Sequence, residues 1–247
     1  MKPETGLHYD IPFDEYLELD ATSKSDLDRF VSDKDKKGSG LLVGRALHTL
    51  ILEGPEKAKE EYAFAPDEWD YRTILGKEAR DAFQLEHPGK EILRPKERAI
   101  VKSMAAAIYS DPKAMKVIRA PGKNEATAIG RVPGFESMSK CRIDMIRKSC
   151  IVDLKSSGVA NIPEFINSIV KFGYAAQAAY YTDLYAAITN EYLSFYFLVV
   201  TKGDKTDHQV EFVPITNEQL AFGRKWYTDI FKLKERWPIG QATASGG

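Results

Sequence analysis

The chain has 247 residues, 43% of them hydrophobic and 29% charged, which is the composition of a globular protein long enough to bury a sizeable core. Its apolar runs are far shorter than the roughly 20 residues of a membrane-spanning helix, and the start, Met1-Lys2-Pro3-Glu4-Thr5, lacks the apolar stretch of a secretory signal. Two cysteines, Cys141 and Cys150, leave no disulfide framework or four-thiolate cluster, and a net charge of −1 gives the whole molecule no general attraction for polyanions, although a local basic groove can coexist with it.

Residues 1–20, acidic and interrupted by Pro3 and Pro12, read as an irregular N-terminal arm. Thr22 or Ser23 can cap a helix over 24–32. The stretch 33–40 is a polar loop. Residues 41–53 predict a helix that is apolar on most faces, hence buried, and Gly54-Pro55 ends it. Residues 56–75 read as irregular, and helices follow at 76–87, 95–109 and 112–118. After Pro121-Gly122 the pattern turns to short strands at 124–132, 140–147 and 150–155. Helix returns at 162–171 and 174–188, broken at Gly173. Strands rich in Phe, Tyr and Val occupy 193–201 and 208–214. A last helix over 216–235 carries Leu220, Trp226, Ile230 and Phe231 inward, and 239–247 reads as a disordered tail. This order predicts a single α/β domain over 21–238, with a central mixed β-sheet flanked by helices.

The chemistry concentrates in Cys150-Ile151-Val152-Asp153-Leu154-Lys155. Residues i and i+2 of a strand share a face, so Asp153 and Lys155 converge. Asp144, nine residues before Asp153, supplies a second carboxylate from the neighbouring strand. Two carboxylates suit Mg²⁺, which keeps waters and phosphate oxygens as further ligands, and a lysine beside them can orient a water or stabilise developing charge. A salt bridge at a strand end is the alternative reading.

Other residues carry two readings each. His48, in Gly44-Arg45-Ala46-Leu47-His48, is either a core histidine or a metal ligand, and Gly44 permits close packing one turn earlier. Glu125 opens the first strand as a third acidic group or an ordinary exposed residue. Gln177 and Tyr181 share one face of a helix lined with alanines and can bridge site and substrate, or simply pack. Ser23, Lys24 and Ser25 offer hydroxyls, an ammonium and helix N-terminal amides, a phosphate clamp or a plain cap.

The Asp…Asp-X-Lys pattern resembles the signature of the PD-(D/E)XK nucleases, whose core is restriction-endonuclease-like. The ordered series is similar to the exonuclease domain of the phage and prophage exodeoxyribonuclease VIII (RecE-type) family. That series is Thr22–Phe30, Gly44–His48 followed by Leu52-Glu53, Glu125, Lys140–Asp144, Ile151–Lys155 and Gly173–Tyr180. The resemblance implies His48, Asp144, Asp153 and Lys155 as the catalytic set, with His48 and the two aspartates on the metal. It implies Mg²⁺ as cofactor, with Mn²⁺ able to substitute, and Ser25 at a 5′-phosphate. It also implies 5′→3′ digestion of linear double-stranded DNA to mononucleotides, leaving a 3′ tail for a single-strand annealing protein. A homo-oligomeric ring of three or four subunits and a place in the cytoplasm of a bacterial host complete the expectation. The acidic arm and Trp226, Tyr227 and Phe231 are candidate subunit contacts, with core packing as their alternative.

Overall fold

The computed structural model describes residues 4–32, 39–67, 72–203 and 207–237. Most of the expected loop over 33–40 and all of the expected tail over 239–247 lie outside them. The described part of the expected arm, residues 4–20, is not wholly irregular: it includes β1 (Gly6–His8) and α1 (Phe13–Glu18). Lys140 docks this segment: its buried ammonium donates to the carbonyls of Tyr16, Leu17 and Leu19 at 2.8, 3.0 and 2.8 Å. A cation thus meets the negative end of a helix.

α2 (Lys24–Val31) is capped by Ser23, whose Oγ accepts from Asp26 N while the Asp26 carboxylate takes Ser23 N–H at 2.7 Å. α3 (Ser39–His48) runs on into one π-helical turn, Thr49–Glu53, which Gly54 closes at φ 98°. Residues 56–75 hold more structure than expected. Pro55 occupies the first turn of α4 (Pro55–Glu61), where its missing N–H does no harm, and β2 (Tyr62–Phe64) follows. α5 (Ile74–Glu86) leads to β3 (Glu91–Leu93), which pairs parallel with β2. These strands have three residues each, too few to show a period.

α6 (Pro95–Ser110) and α7 (Pro112–Ile118) precede three long antiparallel strands, β4 (Gly122–Gly130), β5 (Ser139–Arg147) and β6 (Cys150–Ser157). α8 (Ile162–Ser168) and α9 (Tyr174–Thr189) cross over to β7 (Ser194–Thr201), parallel to β6, and β8 (Val210–Pro214) returns antiparallel. α10 (Asn217–Arg236) ends the described chain. The six-stranded mixed sheet has the order β1-β4-β5-β6-β7-β8.

Strand alternation splits the core in two. Ile151, Phe195, Phe197 and Val199 face a cluster built with α2, α8, α9 and α10. Val152, Leu154, Leu198 and Val200 face the other, built with α3, α6 and α7. Tyr227 and Phe231 are buried in the first cluster and Trp226 packs against it. Of the two readings, subunit contact and core packing, the second therefore holds for Tyr227 and Phe231. Asp183 on α9 locks α10 in place, accepting from Nε and Nη2 of Arg224 at 2.6 and 2.7 Å and from the Tyr227 hydroxyl at 2.5 Å.

α9 and α10 touch backbone to backbone at Gly223, where an added Cβ would stand 2.1 Å from Ala175 O. Neither atom belongs to a flexible side chain, so Gly223→Ala must push the helices apart. The expected loss is about 1–3 kcal/mol of stability, read as a lower urea midpoint with an unchanged slope.

Candidate metal centre

Asp144 and Asp153 lie on β5 and β6 where those strands part. The ladder pairs Met145 with Val152 and Ile146 with Ile151. Asp144 occupies the opening, its Oδ2 accepting Leu154 N–H at 2.7 Å. The carbonyl of Leu154 accepts from His48 Nε2 at 2.6 Å. Gly44 lets α3 approach β6 closely enough for this, since a Cβ there would stand 3.1 Å from Ser156 Oγ.

Glu125 reaches the same point through a backbone irregularity. It has φ 52° inside β4, a conformation that a long side chain rarely adopts and that concentrates at functional sites. Asn124 and Ala126 would share a face of a regular strand. Here Asn124 Nδ2 donates to Leu52 O at 2.9 Å on the α3 side, while Ala126 lies in the core beneath α9. Ile143 and Met145 are divided between the two clusters in the same way on β5. The two strands switch faces together, and the switch brings Glu125 and Asp144 to His48.

Ligand atoms of His48, Glu125 and Asp144 all lie within 4.8 Å of one another. Opposite ligands of one hard cation stand roughly 4 to 5 Å apart. Because Nε2 donates to a carbonyl, the neutral His48 ring turns the lone pair of Nδ1 toward Asp144 Oδ2, 3.4 Å away. Burial holds the imidazole below its usual pKa, although Asp153 pulls it upward. Burial and then Asp153 push Asp144 well above the ordinary carboxylate range. Burial and then Asp144 raise Glu125 to about 7, against the opposing pull of Arg142. Acceptors outnumber donors here, and without a cation burial favours the protonated forms of Asp144 and Glu125. The donor set therefore fits a divalent metal.

Asp153 stands beside this trio. Its Oδ1 accepts from Gln177 Nε2 at 2.6 Å. Its buried Oδ2 pairs with Lys155 Nζ at 2.7 Å. Burial alone would lower the Lys155 pKa, but Asp153 and Asp144 outweigh it and keep the ammonium charged. The ammonium also lies 5.0 Å from the Tyr174 ring centroid and 5.7 Å from that of Phe197.

His48, Glu125, Asp144 and Lys155 line an open cleft of about 1100 Å³. Gln177 reaches the site through Asp153. Tyr181, one turn further along α9, sets its ring against Phe195. Ser23 is occupied in capping α2, Lys24 pairs with Asp28 at 2.7 Å, and Ser25 is exposed. None of these three lines the cleft. Arg142 was not foreseen. It holds Glu125 and donates to Ile11 O at 2.9 Å. It lies two residues before Asp144, and the same-face rule applied to Asp153 and Lys155 would have drawn attention to it.

Protons and metal compete for these groups, and the sign of the effect is fixed. Glu125 keeps its proton up to about pH 7 when folded and releases it near 4.5 when unfolded. The native state therefore binds more protons in that window, and stability in chelator falls as pH rises through it, by up to roughly 3 kcal/mol. Urea titrations across pH should show this slope and should show it flattened in Glu125→Gln. A saturating divalent ion should reverse it, because deprotonated ligands bind metal better.

A search of the curated proteins finds no match to this chain. Among solved structures, the crystal structure of a candidate exonuclease from Eubacterium rectale superposes with a TM-score of 0.64 at 17% sequence identity, covering 91% of this chain and 85% of that one. At that identity the likeness is one of fold, and it is the fold anticipated from the strand pattern. Among the described residues no helix is long and apolar enough to cross a membrane. The model of the PDDEXK-like domain of unknown function (DUF3799) matches residues 16–235, and the chain belongs to that family.

Proposed function

We propose that this protein is a metal-dependent 5′→3′ exodeoxyribonuclease that degrades one strand of linear double-stranded DNA to mononucleotides. The observation that carries the reading is the convergence of His48, Glu125 and Asp144 beside the Asp153–Lys155 pair. His48, Glu125 and Asp144 would hold the cation, with Asp153 Oδ2 adjoining them. Bound there, Mg²⁺ or Mn²⁺ supplies charge neutralisation on the scissile phosphate and acidity for a water. Lys155, kept charged by its carboxylate neighbours, orients the nucleophile or meets the developing negative charge. Gln177 and Lys155 together hold the Asp153 carboxylate in place. Arg142 holds Glu125 and balances part of the acidic charge.

The direction of digestion, the duplex substrate and the single-strand annealing partner rest on the RecE-type resemblance. So does a 5′-phosphate contact from Ser25 on the first turn of α2, flanked by Ser23 and Lys24. A chain of net charge −1 has little long-range hold on DNA, and a closed ring of three or four copies would retain the duplex by enclosure. Light scattering reads the ring as a multiple of the monomer mass.

Digestion of 5′- and 3′-labelled linear duplex tests the reading, with a closed circle as control. Mononucleotides should appear first from the 5′ label, the circle should persist, and chelator should abolish turnover. Asp144→Ala, Asp153→Asn and Lys155→Ala should each lower kcat about a hundred-fold or more. A variant combining any two of these changes should be little worse than the more damaging single one, because these groups act as a unit. Cleavage of the circle would make the protein an endonuclease on the same fold. Full activity in chelator would remove the metal mechanism.

A further inference from the structure

We infer that the turn between α8 and α9 is a stacking platform for unpaired bases of the strand that enters the site, with Phe172 as its main side chain. This rests on the nuclease reading and extends it to how substrate is gripped.

The end of α8 and the turn after it carry two sets of apolar residues. Phe165 and Ile169 point inward and are fully buried. Ile166, Val170 and Phe172 point outward and remain 44%, 44% and 41% exposed. Phe172 is coupled to the site by a chain of ring contacts. Its ring meets Tyr174 edge-on at 5.9 Å, and the Tyr174 ring lies 5.0 Å from Lys155 Nζ. Gly173, at φ 74°, turns the chain sharply between them. Phe172 therefore projects outward while Tyr174 reaches toward the lysine.

One exposed ammonium lies beside the platform: Lys171 Nζ is 5.8 Å from the Phe172 ring centroid. The neighbouring Lys24 is buried, pairs with Asp28 at 2.7 Å and packs against Gly173. An exposed aromatic ring beside a cation, joined through Tyr174 to Lys155, matches a strand that offers base faces and phosphates in alternation. Bases inside a duplex are stacked on one another, so a ring here can stack only on a base that has left its pair or on the terminal one. The platform would hold the end of one strand open beside Lys155.

The test uses short single-stranded DNA carrying 2-aminopurine near its 5′ end, with Ca²⁺ present to limit cleavage. Binding is read by anisotropy and stacking by quenching of the 2-aminopurine emission. Phe172→Ala should weaken binding about ten-fold and abolish the quenching, while Phe172→Trp should restore both. Tyr192→Ala, which removes another exposed aromatic far along the chain, should change neither. Cleavage of labelled duplex by the unaltered protein is measured in parallel with Mg²⁺. If that protein cuts DNA while Phe172→Ala binds and quenches normally, the platform is wrong and the nuclease reading stands. If the unaltered protein neither binds nor cuts, both fall. If Phe172→Ala instead alters the mass seen by light scattering, the turn is a contact between copies of the chain and the platform is overturned.

Discussion

Where β5 and β6 separate, Leu154 loses the strand neighbour that would have satisfied its N–H and C=O on that side. Buried backbone polar groups are almost never left unpaired, and each orphan costs about 1–3 kcal/mol. Asp144 takes the N–H and His48 takes the carbonyl. The folding requirement of one residue thus draws an acid from β5 and an imidazole from α3 to the same spot. Their arrangement is preorganised because the fold needs it, whether or not a ligand is present. Gly44, the π-helical turn and the Asn124 bond to Leu52 all serve this meeting of α3 with the sheet.

What gathers is electrostatically unfavourable by itself. Glu125, Asp144 and Asp153 share a largely buried corner, and among the described residues Arg142 and Lys155 oppose them through ion pairs. The raised affinities of Glu125 and Asp144 for protons express that strain. A divalent cation relieves it in the same way as protons and leaves the carboxylates ionised. The left-handed backbone at Glu125 belongs to the same account. It is an unfavourable local conformation that places a third acceptor where a regular strand would have turned it away.

Much of this was legible in the chain. Asp153 and Lys155 share a face by strand periodicity, and Gly44 before His48 signalled a close approach. The helices over 95–109, 174–188 and 216–235 were legible because their apolar patterns are long. The hidden parts depend on single residues acting over long sequence distances. Nothing local to Lys140 shows that its ammonium will capture the end of a helix more than 120 positions earlier and turn an apparent arm into part of the sheet. Nothing local to Glu125 announces a left-handed residue, since the types that usually mark one are Gly, Asn and Asp. Tyr227 and Phe231 had the composition of an interface and of a core alike. Only the contact of α10 with α9, set by Gly223 and Asp183, decided for the core.

The topology explains why the aromatic and amide partners of the site come from α9. β6 and β7 are parallel, and a parallel pair cannot be joined by a hairpin. The chain must leave the end of β6 just past Lys155, cross the sheet and return to the start of β7. The crossover helix therefore begins near the end of β6 that carries the chemistry, where open α/β sheets present their ligand crevices. Tyr174 in its first turn meets Lys155, and Gln177 one turn later meets Asp153. The turn that leads into this helix stands next to Tyr174 and so one ring contact from the residue that meets Lys155. Its outward side chains, Phe172 among them, are the surface on which the inferred platform for the entering strand rests.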